Sequence, residues 1–280
     1  MTRPRATGFC GPAPWVAYWM TTLTGVTLAA AGIDAVALKP TEVDVSRATD
    51  LDVGTLAIDY EGAAHVPDAE TIERLASTAD VRVTTPVRAD GFDPLGDDSG
   101  FDALPAGIGR VLVAGHSAYL SEEEAARAIA PRLQAAVDDD SDPWVGTEGI
   151  ERLALAVGGT QYELLSRTTA RDVRTLRTAG FEGSIAVYAP LVLSNSEDAT
   201  LDAVGDYAAR RGPVRKALPD GAPTDSRATG RARDVLTQAV RDYALVGSVE
   251  TVAERTERLR DLGVDTVVGY PARGLDPFLS

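Results

Sequence analysis

LVGSVETVAERTERLRDLGVDTVVGYPAR, residues Leu245 to Arg273, reads as one helix followed by one buried strand. Ser248 has the short hydroxyl side chain of an N-cap, which satisfies an amide that the first helical turn leaves free. Val252, Leu259 and Leu262 recur at helical spacing. Gly263 supplies the left-handed residue on which helices commonly end. VDTVVGY then follows as a short β-branched run. A helix that turns directly into such a run is the repeating element of parallel α/β folds, where each strand must be reached by a crossover.

Working outward, seven more runs have the same character: DAVALK (34–39), GTLAID (54–59), DVRVTTPV (80–87), RVLVAG (110–115), PWVGT (143–147), TQYELLS (160–166) and SIAVYAPLVL (184–193). Each is short, apolar and bounded by turn residues, as buried parallel strands are. Helices are expected at 22–32, 69–77, 121–137 with a kink at Pro131, 147–158, 169–180, 198–211 and 232–245. RLALAV (152–157) could instead be a strand. Eight strands alternating with helices predict a single-domain (β/α)8 TIM barrel over residues 20–280, with a doubly wound open sheet as the alternative. LPDGAPTDSRATG, rich in Pro and Gly, predicts a mobile loop inserted at about 212–231.

The chain has 280 residues and a net charge of −15, with Lys39 and Lys216 its only lysines. So acidic a chain is a poor partner for nucleic acid. No apolar run approaches the ~18 residues that span a bilayer. Cys10 has no partner for an internal disulfide, which fits a reducing cytoplasm. No metal-ligand spacing occurs, so no metal is expected. Residues 1–19 hold Cys10, Trp15 and Trp19 but no acid, and Met20 follows. That contrast predicts Met20 as the true start and residues 1–19 as an unstructured or untranslated extension, with a signal peptide as the rival reading.

In a barrel, chemistry gathers at the carboxyl ends of the strands. Reading those ends gives Lys39 and Glu42, Asp59 and Glu61, Arg88, His116 and Ser117, Glu148, Ser194 and Asn195, and Tyr270 and Arg273. Lys39, rare by type and directly after a strand, is a candidate general acid or a counter-charge for an anionic substrate. The plainer reading is an ion pair with Asp59 or Glu61. His116 could serve as a general acid or base. Asp59 could act as a general base or as a brace for Lys39 or Arg88. Between Tyr207 and Arg233, seven basic residues, Arg227 among them, face only two acids, which suggests an anionic small-molecule ligand. The plainer reading is that these arginines pair with neighbouring acids.

VGSVETVAERTERLRDLGVDTVV (246–268) and SIAVYAPLVLSNSEDATLDAV (184–204) resemble the closing units of the luciferase-like superfamily of F420- and flavin-dependent oxidoreductases, in its methylenetetrahydromethanopterin reductase-like branch. The acidic, lysine-poor composition is similar to that of proteins from salt-loving archaea. The chain departs from the family pattern at LKPTE (38–42), VTTPV (83–87) and AGHS (114–117). The resemblance implies F420 or FMN as hydride carrier but carries over no site residue; the strand ends and the basic stretch supply Lys39, Asp59 and His116 as catalytic candidates and Arg88, Ser194, Asn195, Arg227 and Arg273 as candidates for holding the cofactor. The alternatives are a barrel without cofactor that serves as a binding or scaffold protein, and a cofactor-free lyase or aldolase with Lys39 as the reactive amine; a homodimer is the assembly considered. The enzyme readings require Lys39, Asp59, Arg88 and His116 to converge.

Overall fold

The computed structural model describes residues 28–116 and 118–279. The expectations for residues 1–19, for Met20 as a start and for Ser117 lie outside that range. The described chain begins with one 3₁₀ turn, Leu28–Ala31, in the second half of the helix expected over 22–32, whose first half lies outside the described residues. Gly32, at φ +71°, ends it.

The strands are β1 (Ala35–Leu38), β2 (Thr55–Ile58), β3 (Asp80–Pro86), β4 (Gly109–Val113), β5 (Trp144–Gly146), β6 (Thr160–Leu164), β7 (Ile185–Leu193), β8 (Leu245–Gly247) and β9 (Thr266–Pro271). The helices are α1 (Ala69–Ala76), α2 (Ser99–Asp102), α3 (Glu122–Ala126), α4 (Ile129–Asp139), α5 (Glu151–Val157), α6 (Thr169–Thr178), α7 (Glu197–Ala209), α8 (Gly212–Ala217), α9 (Gly230–Tyr243) and α10 (Val249–Asp261). None is long and apolar enough to cross a membrane. β1 to β7 pair in sequence order, all parallel, and β9 closes the ring between β7 and β1. The protein is a (β/α)8 barrel. RLALAV is helical, as α5.

The opening stretch closes the ring. The Ser248 hydroxyl accepts from the Thr251 amide, and Gly263 leaves α10 at φ +105°. Thr256 and Arg260 of α10 reach back to the carbonyls of Ala31 and Gly32. The Asp34 carboxylate takes both Arg260 and the Val267 amide, joining the first strand to the last.

Three elements differ from the sequence reading. The helix expected over 121–137 is two, α3 and α4, separated at Arg127 and Ala128, both extended. Pro131 has no N–H for the Arg127 carbonyl, and its ring crowds that oxygen. It therefore sits in the first turn of α4, where a missing donor costs little. Second, Leu245–Gly247 forms β8, which pairs with the last part of β7 (Leu191↔Leu245 to Leu193↔Gly247). The same edge of β7 pairs with β6 lower down, ending at Leu164↔Tyr188. Third, the segment 212–231 opens as the helix α8, and Thr224 packs against Gly205 of α7.

Alternation sorts the strand side chains. Leu38, Leu56, Ile58, Val81 and Val83 join the layer beneath the helices. Ala35, Ala37, Ala57, Val111, Trp144, Tyr162, Ala186, Tyr188, Val268 and Tyr270 form the interior cluster. Small side chains from β1 and β2 thus face aromatic ones from β5, β6, β7 and β9.

Candidate active site at the barrel mouth

Lys39 and Asp59 continue the inward rows Ala35–Ala37 and Ala57 by one more alternation, so they arrive at the carboxyl rim. The Lys39 ammonium lies 4.2 Å from the centre of the Tyr270 ring and 3.4 Å from a Glu42 carboxylate oxygen. It is a fixed charge at the rim, steadied by a cation–π contact. Glu61 accepts from the Thr41 amide (2.8 Å) and hydroxyl (2.7 Å), pinning the turn after β1 to the outlet of β2.

Asp59 is the most perturbed acid of this rim. Burial pushes its carboxyl from 3.8 up to about 7; nearby Lys39 and a Tyr188 hydrogen bond oppose the rise, while Glu61 and Glu42 add to it. A carboxyl poised near neutrality can both hold and release a proton.

Two adjoining cavities open here. One, of about 580 Å³, is bordered by Lys39, His116, Glu148, Tyr162, Tyr207 and Arg211 among others. The second, of about 270 Å³, reaches Asp59, Thr84 and Tyr188 and shares Tyr162, Tyr207, Arg211 and Glu148 with the first. Gly146 borders the larger one; a Cβ there would come within 2.8 Å of Val113 Cγ1. Arg211 lies over the Tyr207 ring (4.4 Å) and pairs with Glu148 (3.1 Å). Three polar atoms around this space are buried without a hydrogen-bond partner: Tyr162 Oη, Tyr207 Oη and Arg211 Nε. Buried donors are seldom left unpaired, and a ligand is one resolution.

The mouth therefore brings together Lys39, Asp59 and His116 of the sequence candidates. His116 is exposed at the rim, where its Nδ1 accepts from the Ala118 amide (3.1 Å). Arg88 does not join them, so the four-residue convergence that the enzyme readings required fails at this residue, and an enzyme reading has to rest on other groups of the mouth. The Arg88 guanidinium bonds the carbonyls of Ala114 (2.6 Å), Gly115 (3.1 Å) and Ala125 (2.6 Å), so it ties the outlets of β3 and β4 to α3. Arg227 is paired with Asp225, and Arg273 is exposed. Ser194 and Asn195 border a different cavity, beyond β7. Much of the basic stretch is neutralised locally: Arg210 pairs with Asp206, Arg211 with Glu148, and Arg233 with Glu197 and Asp198.

Tyr162, Tyr188 and Tyr207 were not among the sequence candidates, and Arg211 was counted only as one of the seven basic residues of 207–233. The first two lie inside strands and read as core. Their signal is the alternation itself, which puts a hydroxyl-bearing ring where an aliphatic one would suffice. Tyr207 and Arg211 come from α7 and from the residue before α8, which a survey of strand ends passes over.

The family described as "Family of unknown function (DUF7388)" matches residues 28–278, and the chain belongs to it. No curated protein matches the chain by sequence. Among solved structures, it is similar to an F420-dependent secondary alcohol dehydrogenase in complex with an F420-acetone adduct, with a TM-score of 0.57 at 10% identity over 85% of this chain and 92% of that one. It is also similar to apo-MsnO8, with a TM-score of 0.50 at 12% identity over 85% of this chain and 91% of that one. At such identities the likeness is one of fold alone.

Proposed function

We propose that this member of the family is an oxidoreductase whose barrel mouth binds a deazaflavin or flavin ring beside a small anionic substrate. The carrying observation is the set of buried, unpaired groups, Tyr162 Oη, Tyr207 Oη and Arg211 Nε, around the space that Lys39 and Asp59 reach. These groups fit such a ring: all three can donate, and the ring's carbonyl edge accepts. The larger cavity's 580 Å³ lies within the ordinary range for small-ligand sites, about 300–1,000 Å³. The fold similarity to an F420-dependent alcohol dehydrogenase supports the same reading.

When bound, the cofactor would supply the hydride chemistry, so the protein needs few reacting groups of its own. Tyr162 and Tyr207 would orient the ring. Lys39 would offset the charge of an anionic substrate, and the apolar wall of Val113 and Leu164 would exclude water. Asp59, half-protonated near pH 7, would hold the proton exchanged with a substrate oxygen. Lys39 as a Schiff-base amine is less favoured, because its ammonium is engaged by both Tyr270 and Glu42.

Equilibrium titration of the full chain with F420 and with FMN, followed by fluorescence, tests the reading. Micromolar binding of one of them, weakened at least tenfold by Tyr162→Phe, is expected. Absence of binding by both would overturn it.

A further inference from the structure

We infer that a cavity beyond the ends of β7 and β8 is a second binding site, separate from the barrel mouth, for a small molecule that bears a phosphate or pyrophosphate group. The cavity measures about 660 Å³ and has no bordering residue in common with either cavity of the mouth. Ser194 to Glu197 form one wall, α9 contributes Thr237 and Arg241, and α10 contributes Thr251, Arg255 and Arg258.

The charge balance of these walls points to an anion. Arg255 Nη1 bonds the main-chain carbonyl of Ala244 at 2.6 Å, and Nη2 that of Asp242 at 3.5 Å. Neither carbonyl carries a net charge. Burial works against the charged form of this guanidinium and Arg258 adds to the effect, while the nearby Asp242 carboxylate opposes it. Neither the exposed Arg241 nor the half-buried Arg255 makes an ion pair among the described residues. Of the acids at hand, Glu197 is held by Arg233 at 2.6 Å, and Glu254 lies 3.8 Å from Arg258. A half-buried cation that no carboxylate contacts directly gains from an incoming anion. The forked N–H groups of arginine match phosphate oxygens in pairs.

The walls are also built for close approach. Gly247 borders the cavity at φ +131°, and a Cβ there would meet Thr251 Cγ2 at 2.9 Å. Thr237 stands in the same wall with its hydroxyl buried and unpaired. The Ser194 and Ser196 hydroxyls accept amides in the turn into α7, and the arginines supply the charged donors.

Isothermal titration of the full chain with sodium pyrophosphate, at constant ionic strength in chloride, tests the inference. One equivalent is expected to bind, with affinity at least tenfold weaker in Arg241→Gln and in Arg258→Gln. Both residues are exposed, so neither variant endangers the fold. Affinity is expected to be unchanged in Lys39→Gln, which alters only the mouth. No binding to the unaltered chain, or a loss in Lys39→Gln in place of the arginine variants, would overturn the inference. The phosphate-bearing tail of a bound cofactor is the other source of the same chemistry. F420 affinity that falls in Arg241→Gln would assign the cavity to that tail and overturn a separate ligand.

Discussion

Asp59 follows Ala57 on an inward row, and that position explains its proton affinity. Burial holds the carboxyl neutral until about pH 7, against 3.8 for the free group. A raised carboxyl favours the folded state at low pH, and this contribution is lost as pH rises through the folded value. Between about pH 4 and 7 the loss amounts to at most about 1.4 kcal/mol per pH unit. Asp59→Asn removes the titration. Its melting temperature relative to the parent is expected to rise from pH 4 to pH 7 and then level off. A difference that stays flat with pH would show that Asp59 ionises normally. The neighbouring Lys39 differs in kind: its contacts with Tyr270 and Glu42 fix a charge in place, and nothing about it calls for a proton to move.

At the scale of elements, α7 carries the most consequence. Gly205 lets the chain at Thr224 lie on the helix; a Cβ at 205 would stand 2.0 Å from the Thr224 carbonyl oxygen. Gly205→Ala must therefore displace the segment after α8, at a cost of about 1–3 kcal/mol, measurable as a lower urea midpoint. An unchanged midpoint would mean that the segment is not held there. The same region shows what the sequence made legible. Strands and helices with strong periodicity and caps, such as α10 with Ser248 and Gly263, could be read directly, because each signal is local. β8 could not: three residues between two helices carry no period, and Leu245 reads as the end of α9. Pro131 was legible as a disturbance, but whether it kinks or splits a helix depends on the carbonyl it faces. Lys39 and Asp59 were legible because they stand at strand ends. Tyr162 and Tyr207 were not, because a buried tyrosine in a strand or helix looks the same whether or not its hydroxyl finds a partner.

Across the whole molecule, a charge of −15 works against compaction unless ions screen it. Raising KCl from about 0.05 to 1 M, across which the Debye length shrinks to about 3 Å, is expected to raise the melting temperature. A constant or falling value would mean that the paired carboxylates, and not the unpaired ones, govern the response. The barrel itself departs from eightfold regularity at one place. β7 exchanges its neighbour along a single edge, from β6 to β8, just above Tyr188. The rim is notched at that point, and Tyr207 and Arg211 reach the mouth from the helix layer where a strand-end loop would otherwise stand. Selectivity in this barrel is then tuned from behind. A change in how α7 rests on its neighbours, two residues from Tyr207 at Gly205, would reshape the site without altering any residue that a ligand touches.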